Sequence, residues 1–415
     1  MSIMGDKLTF QKIDILKLLS ESRKQKNLTL RELSEMTSYS YQSLSKYEIG
    51  LRDLNHENLH TLAQYLEIDL ESVFYIEDKL DEDLNDLLES IIYDNEKETE
   101  RLIHQVRLAN QYIYYSKVTN QYHTIFYILH ILSLNHDLNS YDFVNKNIDS
   151  FNNELKQLYY DYKAIEHLKN NQIQEAVDII DCALQYENRE SSAGLIHYHA
   201  SLIYTYYGKL NKALSFSEIA EDYFLKTRNL KRLTQMQIHS ASINAKLGHF
   251  RTSQKMYKRL LSTTQDTETK IVILYNLTWF SFLNKEYKDS LEYLKQIELE
   301  QALSENGIFI KCSCLYQLNK TQEANQLYQN TISSFIDPMY KLEMEIVHCE
   351  YTNDETEFES KLLQLHSMTK DSRNFENYEF CLDQLTAYYE YRSKYKVAIN
   401  YYKEKITLLN WMYSN

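Results

Sequence analysis

The sequence predicts an all-α protein, with an N-terminal domain of five helices followed by a right-handed α-solenoid of about eight helical hairpins. The 415 residues include only 6 glycines and 1 proline, which is too few for the turns of a β-sheet protein of this length. A chain of this length also exceeds one ordinary hydrophobic core. A short residue pattern recurs along most of the chain, as is typical of stacked helical hairpins.

Two helix starts lie close together near the N-terminus. Thr29 and Glu32 have the spacing of a capping box, and Ser40 is placed to cap the next helix. The first of these helices has an apolar face predicted from Leu30, Leu33 and Met36. In the second helix Leu44 and Tyr47 are expected to point inward, because residues three apart share one face. Its outer face then consists of Tyr41, Gln42, Ser43 and Lys46.

Residues 28–50 resemble the recognition segment of the Cro/repressor-like helix-turn-helix family, and the resemblance covers roughly the first eighty residues. It identifies a fourth helix that starts at Asn55 and a fifth over residues 69–74. The resemblance implies that the second motif helix contacts DNA bases or phosphates through Tyr41, Gln42, Ser43 and Lys46, and that Arg52 meets a phosphate.

The charge of this N-terminal segment differs from that of most DNA-binding domains. Residues 1–76 carry nine Lys or Arg and eleven Asp or Glu, a net charge of −2, and the remaining residues carry −12. Phosphate contacts must therefore come from a local basic cluster rather than a basic surface. That cluster comprises Arg23, Lys24, Lys26, Arg31, Lys46 and Arg52. Dimerisation is expected to supply the remaining affinity, and the alternative is a degenerate module kept for protein contacts.

The recurring pattern is a turn residue, a bulky residue two positions later and a small residue three positions after that. Six copies begin at Asn171, Gly208, Gly248, Lys285, Asn319 and Ser393. Together with weaker copies at Val144 and Lys361, the small-residue positions are 144, 176, 213, 253, 290, 324, 361 and 398. Their spacing of 32 to 40 residues brackets the ~34-residue tetratricopeptide period. Residues from about 100 to 415 therefore resemble tetratricopeptide repeats, which stack into a superhelix with a concave groove.

An acidic stretch separates the two regions. Residues 77–100 carry eleven Asp or Glu against two Lys, with apolar residues at helical spacing. It is interpreted as an acidic connecting helix, or alternatively as the solvated face of the first solenoid helix. The predicted domains are thus residues 1–76 (helix-turn-helix), 77–100 (acidic helical linker) and 101–415 (repeats for peptide sensing and dimerisation).

Other functional classes find little support in the sequence. The five cysteines are odd in number and scattered, and no motif for a phosphate loop, a metal site or a catalytic nucleophile is present. We therefore expect no enzyme activity, no cofactor and no metal. No signal segment or bilayer-spanning run is found, so a cytoplasmic protein without membrane contact is expected.

The complete arrangement resembles the cytoplasmic peptide-pheromone receptors of Gram-positive bacteria, the RRNPP class that includes Rgg, PlcR, PrgX and NprR regulators. The resemblance implies quorum sensing: an imported signalling peptide lies along the concave face and alters how a homodimer binds a double-stranded, palindromic operator. Two other classes compete with this one, a DNA-bound scaffold whose groove takes a protein partner, and an enzyme.

The residues that would hold the peptide follow from the expectation that the first helix of every hairpin lines the inner wall. Side-chain amides and imidazoles there could pair with the backbone of an extended peptide. Asn276, His199 and His239 each lie nine residues before a turn residue. Further polar candidates are Gln235, Ser242, Asn244 and Gln384. Aromatic candidates for side-chain pockets are Tyr198, Tyr275, Trp279, Phe309 and Tyr316, although ordinary helix packing is the alternative for each.

Overall fold

The computed structural model describes residues 14–52, 54–186, 190–352, 355–372 and 375–413. Within those ranges all regular secondary structure is helical, as the composition predicts. The chain divides into two compact units, Met1–Ile196 and His197–Asn415.

The first unit starts with five short helices. These are α1 (Ile15–Gln25), α2 (Leu30–Met36), α3 (Tyr41–Glu48), α4 (His56–Leu66) and α5 (Leu70–Asp78). Each begins at a side chain that accepts a backbone N–H bond, which satisfies a donor that the first helical turn leaves unpaired. The five N-caps are Asp14, Thr29, Ser40, Asn55 and Asp69. The predicted capping box forms, with N–H to oxygen distances of 3.1 Å and 2.7 Å between Thr29 and Glu32.

The core of these five helices differs from the prediction at one position. Leu33, Leu44 and Tyr47 are buried as expected. Met36 is 43% exposed, which corrects its assignment to the apolar face of α2. The helix has only seven residues, so a residue in its last turn lies at the edge of the small bundle rather than over its centre.

The acidic stretch spans the last residues of α5, one complete helix and the start of another, instead of forming one connecting helix. Helices α6 (Leu80–Ile92) and α7 (Glu96–Val106) pack against each other, and α6 also contacts α5 and the following repeat. The apolar side chains of α6 are buried, namely Leu80, Leu84, Leu87, Leu88, Ile91 and Ile92. The acidic residues therefore occupy the outer face of a packed hairpin, as the alternative interpretation holds.

Eight helical hairpins follow across the described residues. In the first unit they are α8 (Thr119–Ile131) with α9 (Leu138–Asn147), and α10 (Asn153–Lys169) with α11 (Ile173–Ala183). The next pairs are α12 (Glu190–Tyr207) with α13 (Leu210–Lys226), α14 (Leu230–Lys246) with α15 (Phe250–Thr263), and α16 (Thr267–Leu283) with α17 (Tyr287–Glu298). The last are α18 (Glu305–Gln317) with α19 (Thr321–Thr331), α20 (Pro338–Thr352) with α21 (Glu355–Ser372), and α22 (Phe375–Tyr391) with α23 (Tyr395–Tyr413).

The recurring pattern coincides with the turns of these hairpins. All six predicted turn residues have a positive φ, which reverses the chain after a helix. At Gly208 and Gly248 the φ values are 85° and 79°, a region that glycine enters without a Cβ penalty. Asn171, Lys285, Asn319 and Ser393 adopt the same conformation as non-glycine residues.

The small residues allow the two helices of each hairpin to approach closely. Ala176, Ala213 and Ala324 are fully buried, as is Ser290. Hydrogen bonds between residues twelve positions apart also join the two closely packed helices of a hairpin. Ser201 Oγ donates to the carbonyl of Ala213 at 2.8 Å, and Ser290 Oγ to that of Thr278 at 3.0 Å. The repeat therefore specifies packing as well as chain reversal.

The two weaker copies pack in different ways. Val144 is fully buried within its hairpin. Lys361 instead extends to the carboxylate of Glu345 on α20, with an Nζ to Oε2 distance of 2.8 Å. A long side chain at this position is tolerated because its charged end leaves the helix contact and finds a partner.

The second unit brings its last helix back to its first hairpin. The ring centroids of Tyr207 and Trp411 lie 5.3 Å apart. Lys209 Nζ lies 5.5 Å from the Trp411 ring centroid and donates to the Trp411 carbonyl at 3.2 Å. The six hairpins of this unit therefore curve far enough for its end to meet its start.

Candidate nucleic-acid interface and repeat groove

Helix α3 presents a polar outer face to solvent. Leu44 and Tyr47 are buried on its inner side, as predicted. Tyr41 is 48% exposed, and Gln42 and Lys46 are also exposed. These three side chains are therefore accessible to a DNA groove, although their contact with bases stays a prediction.

Arg52 lies directly beside this face. Its Nη1 donates to Ser43 Oγ at 2.9 Å, and its guanidinium carbon is 5.3 Å from the Tyr47 ring centroid. Ser43 is half-buried by these contacts. Arg31 is exposed on α2. The predicted DNA-binding residues thus lie on or next to α2 and α3, with Arg52 held against α3.

Two members of the predicted basic cluster have other partners. Arg23 is 9% exposed and binds Glu48 of α3 through two nitrogens, at 2.7 Å and 3.0 Å. The hydrogen bond with Glu48 raises the pKa of Arg23. Lys26 pairs with Glu67 at 2.6 Å. Arg23 therefore serves the fold in this conformation rather than a phosphate, because its largely buried carboxylate partner already neutralises it. The Lys26 pair is partly exposed to solvent, so a phosphate contact of Lys26 stays a prediction.

The ion pair of Arg23 has a structural role that the sequence did not reveal. It joins α1 to the C-terminal end of α3. A second link joins α3 to α4, because Asn58 donates to the Tyr47 hydroxyl at 2.7 Å and accepts from the Tyr39 hydroxyl at 2.7 Å. These contacts fix the orientation of α3 within the N-terminal domain.

The N-terminal domain is also attached to the segment that precedes the first repeat. The Asp14 N–H donates to the carbonyl of Tyr115 at 2.8 Å, and the Tyr115 hydroxyl donates to Glu21 at 3.1 Å. The Tyr112 hydroxyl accepts from the Asp69 N–H at 2.7 Å. Both tyrosines lie in a segment of short 3₁₀ turns that follows α7. Sequence reasoning missed these contacts, since they join residues up to 101 positions apart.

Asn276 is half-buried on α16 and makes one hydrogen bond to its own helix. Its Nδ2 donates to the carbonyl of Val272 at 2.9 Å. Its amide oxygen has no partner among the described residues, so it is available to accept a bond from a ligand N–H.

The two predicted histidines are packed among the helices of the second unit. His199 is buried on α12. A ring nitrogen of His239 lies 3.2 Å from Thr205 Oγ1, and burial lowers its pKa to about 4. His239 is therefore neutral at physiological pH, where it can both donate and accept a hydrogen bond.

The remaining polar candidates are half-buried. Two of them already form hydrogen bonds within the protein. Asn244 Nδ2 donates to the carbonyl of Ser240 at 2.9 Å. The Gln235 side-chain oxygen accepts from Arg232 at 3.1 Å. Ser242 is half-buried on the same helix, α14. All three groups lie on one helix, and Asn244 and Gln235 would exchange an internal bond for a bond to a ligand.

The aromatic candidates divide into two groups. Tyr198, Tyr275 and Trp279 are half-buried, and the indole N–H of Trp279 is buried without a partner among the described residues. Phe309 and Tyr316 are 1% exposed and belong to the hydrophobic core. Their assignment to ligand pockets is corrected for this conformation, because no surface of either ring is accessible.

Gln384 lines a cavity of about 370 Å³ in the second unit. The cavity lies between α20, α21 and α22, and the other described residues around it include Glu350 and Tyr388. Of the predicted groove residues, Gln384 alone is among the described residues that line this cavity.

Comparisons with known proteins agree with both parts of this architecture. Residues 19–73 match the helix-turn-helix family HTH_3. The chain is 21% identical over 289 residues to "Transcriptional activator NprA" of Geobacillus stearothermophilus, which covers 64% of this chain and 71% of that protein.

Solved structures share the fold of most of the chain. The Rap protein complexed with Competence and Sporulation Factor matches with a TM-score of 0.65 at 14% identity, covering 81% of this chain and 98% of that chain. The apo quorum sensor NprR from B. thuringiensis matches with a TM-score of 0.64 at 16% identity, covering 81% and 100%. NprR in complex with its cognate peptide NprX gives a TM-score of 0.63 at 14% identity, covering 80% and 100%.

The chain has the Rap and NprR fold. With the N-terminal helix-turn-helix match, these likenesses agree with the predicted combination of a helix-turn-helix domain and helical repeats. Among the described residues, no helix combines the length and the apolar character needed to cross a bilayer.

Proposed function

We propose that this protein is a quorum-sensing transcription regulator that binds operator DNA as a homodimer and is switched by a short signalling peptide in the concave face of its repeats. One observation carries the proposal: a single chain combines an exposed polar α3 in a helix-turn-helix domain with the fold of NprR, which has been solved with the peptide NprX. Transcription control by the relative NprA supports the same function.

The DNA-binding half of the proposal rests on α3. Gln42 and Lys46 offer an amide and a cation on its exposed face, and these groups suit base edges and phosphates. One such helix contacts only a half-site. Two copies must therefore be separated by about one DNA turn, roughly 34 Å. A homodimer on a palindromic operator meets that requirement.

The peptide-binding half rests on polar groups along the first helices of successive hairpins. Asn276 on α16 and His239 on α14 can exchange hydrogen bonds with the backbone of an extended chain. A folded protein partner would instead bury a broad interface, typically about 1,200 Å² or more in total. That partner is the second candidate, and short peptides would then have no effect.

The DNA half is tested by selecting binding sites from random duplexes with the full-length protein. Enriched sites are expected to contain two inverted half-sites. Gln42→Ala with Lys46→Ala should weaken binding to the enriched site about 10- to 100-fold in fluorescence anisotropy, because a base contact and a phosphate contact are removed. Lys17→Ala with Gln64→Ala removes the same residue types from exposed positions on α1 and α4 and should retain affinity. Equal losses in both double variants would contradict the role of α3.

The peptide half is tested with a library of heptapeptides captured by immobilised full-length protein. A captured peptide should raise the unfolding temperature as its concentration rises, because it binds the folded state. It should also change the affinity for the selected DNA site, since the two equilibria are linked. If no peptide is captured, or if captured peptides leave DNA affinity unchanged, the switching mechanism is wrong.

A further inference from the structure

The cavity between α20, α21 and α22 has a size suited to a single side chain. Its volume of about 370 Å³ is near the lower end of the ~300–1,000 Å³ found for ligand sites. A complete peptide would not fit there, whereas one long side chain or one chain terminus would. The cavity is therefore considered as a subsite rather than as the whole groove.

The charge of the cavity comes from one carboxyl group. Among its described lining residues, Glu350 is the one carboxylic acid. Glu350 is exposed to solvent, yet burial of the carboxyl among surrounding protein atoms raises its pKa. A cationic partner favours the charged form of the carboxyl group and offsets this effect.

Aromatic rings form another wall of the cavity. The Tyr388 ring centroid lies 5.4 Å from that of Phe358, and the Tyr388 hydroxyl donates to Glu359 at 3.0 Å. These contacts fix the Tyr388 ring. Tyr391 is 82% exposed at the same cavity. Aromatic faces attract cations through the ring quadrupole, so they complement the Glu350 carboxylate.

Gln384 completes the set with a neutral amide on α22. An ammonium or guanidinium that pairs with a carboxylate still has unpaired N–H donors. The side-chain oxygen of Gln384 can accept a hydrogen bond from one of them. Carboxylate, aromatic faces and amide oxygen together select a positively charged N–H donor over an anion or an apolar group.

We propose that this cavity binds the cationic group of the signalling peptide, a Lys or Arg side chain or the amino terminus. The identity of the ligand as a peptide rests on the proposed function, whereas affinity for an organic cation does not. Glu350 supplies the charge, Tyr388 and Tyr391 supply the aromatic faces, and Gln384 orients the group.

The cation site is tested first without any peptide. Ligand-observed NMR titrations of the full-length protein compare n-butylguanidinium with N-butylurea, which has nearly the same shape without the charge. We expect the guanidinium to bind about tenfold more tightly or better, and Glu350→Gln to remove that difference. Glu292→Gln, at an exposed position on α17, removes the same charge elsewhere and should preserve it.

The location of the site is checked with Tyr391→Ala, which removes an exposed ring at the cavity and should weaken n-butylguanidinium binding. Tyr395→Ala removes an exposed ring from α23 and should leave that binding unchanged. Matching unfolding temperatures of Glu350→Gln and the parent protein exclude a folding defect. Equal binding of the urea, or full cation binding by Glu350→Gln, would overturn the site.

Two heptapeptide libraries, one with free and one with acetylated amino termini, identify which group of the peptide supplies the cation. Enrichment of Lys or Arg from the acetylated library, lost in Glu350→Gln, identifies a side chain as the cation. Capture from the free library alone identifies the amino terminus. Capture without any cationic preference overturns the subsite but leaves the proposed function intact. Cation binding without capture of any peptide supports the site and contradicts the proposed function.

Discussion

Single side chains in this protein differ in how much of their hydrogen-bonding capacity the fold uses. Asn276 uses one amide N–H within its helix and keeps an unpaired oxygen. Arg23 uses its guanidinium on Glu48 and on the carbonyl of Leu28. Free capacity favours a role in ligand binding, and saturated capacity favours a role in the fold.

Asn276→Ala tests the first of these roles. The variant should bind a captured heptapeptide about tenfold more weakly, because one hydrogen bond to the peptide backbone is lost. Operator affinity of the peptide-free protein should not change. Calorimetric titration gives the peptide affinity, and the exposed Gln326→Ala on α19 is the control. An unchanged dissociation constant would remove Asn276 from the groove.

His123 predicts a pH dependence of stability. It is buried, one ring nitrogen lies 2.8 Å from Ser140 Oγ, and burial lowers its pKa to about 4. An unfolded histidine takes up a proton near pH 6.5, so the contribution of His123 is complete above that pH and is lost as the pH falls towards 4.

The measurement is the free energy of unfolding in urea between pH 7 and pH 4.5. His123→Phe should show a shallower loss than the parent protein, by at most about 1.4 kcal/mol per pH unit. His249→Phe, at an exposed position, should keep the parental slope. Identical slopes for the parent protein and His123→Phe would mean that another group causes the loss of stability at acidic pH.

At the scale of the helical hairpin, the turn residue and the small residue act together. A positive φ at positions such as Lys285 and Asn319 reverses the chain. The fully buried Ala324 then lets α19 approach α18, close enough for Cys312 Sγ to reach the Ala324 carbonyl at 3.6 Å. Each hairpin leaves an apolar face that its neighbour covers, so packing defects should spread between repeats.

Ala324→Leu tests this close approach. Three extra carbons cannot fit without moving a helix, so the variant should lose about 1–3 kcal/mol of unfolding free energy. Urea unfolding followed by circular dichroism provides the measurement. Gln322→Leu, two residues earlier and exposed, should stay within about 0.5 kcal/mol of the parent protein. Comparable losses in both variants would mean that any added leucine lowers the unfolding free energy, whether or not its position is buried.

At the scale of the whole molecule, the first unit joins the N-terminal domain to the start of the repeats through Tyr112 and Tyr115. Under the proposed function, these contacts offer a route by which the repeats could alter the position of α3. The distribution of net charge also favours DNA contact through the N-terminal domain rather than through the rest of the chain. Residues 77–100 carry −9 of the total −14 and residues 101–415 carry −3, so the acidic segment, more than the repeats, should be repelled from DNA.

Tyr112→Phe with Tyr115→Phe removes both side-chain bonds and keeps the rings. Amide hydrogens of α1 and α5 should exchange faster, because those helices lose partners at Glu21 and Asp69. A captured peptide should still bind, but should change operator affinity less than in the parent protein. Tyr114→Phe, in the same segment and exposed, is the matched control. Unaltered exchange and unaltered coupling would exclude this route.

Local chemistry made much of the fold predictable. Thr29, Ser40 and Asn55 cap helices where expected, since a cap depends on neighbours within three residues. The hairpin turns and the buried small residues were likewise predictable from a repeating pattern. The candidate site was less predictable. Phe309 and Tyr316 lie on the expected helices but face the core.

An all-helical chain, a helix-turn-helix motif and the period of the repeats are predictable from the sequence alone, because caps, turns and small residues act over a few positions. The tertiary structure alone decided which polar groups remain available. Arg23 and Lys26 pair with carboxylates 25 and 41 residues away. Glu350, Gln384 and Tyr388 line one cavity only because α20, α21 and α22 pack together. Such partners are separated by long stretches of chain, so the distances between them depend on how the helices pack and not on their own neighbours.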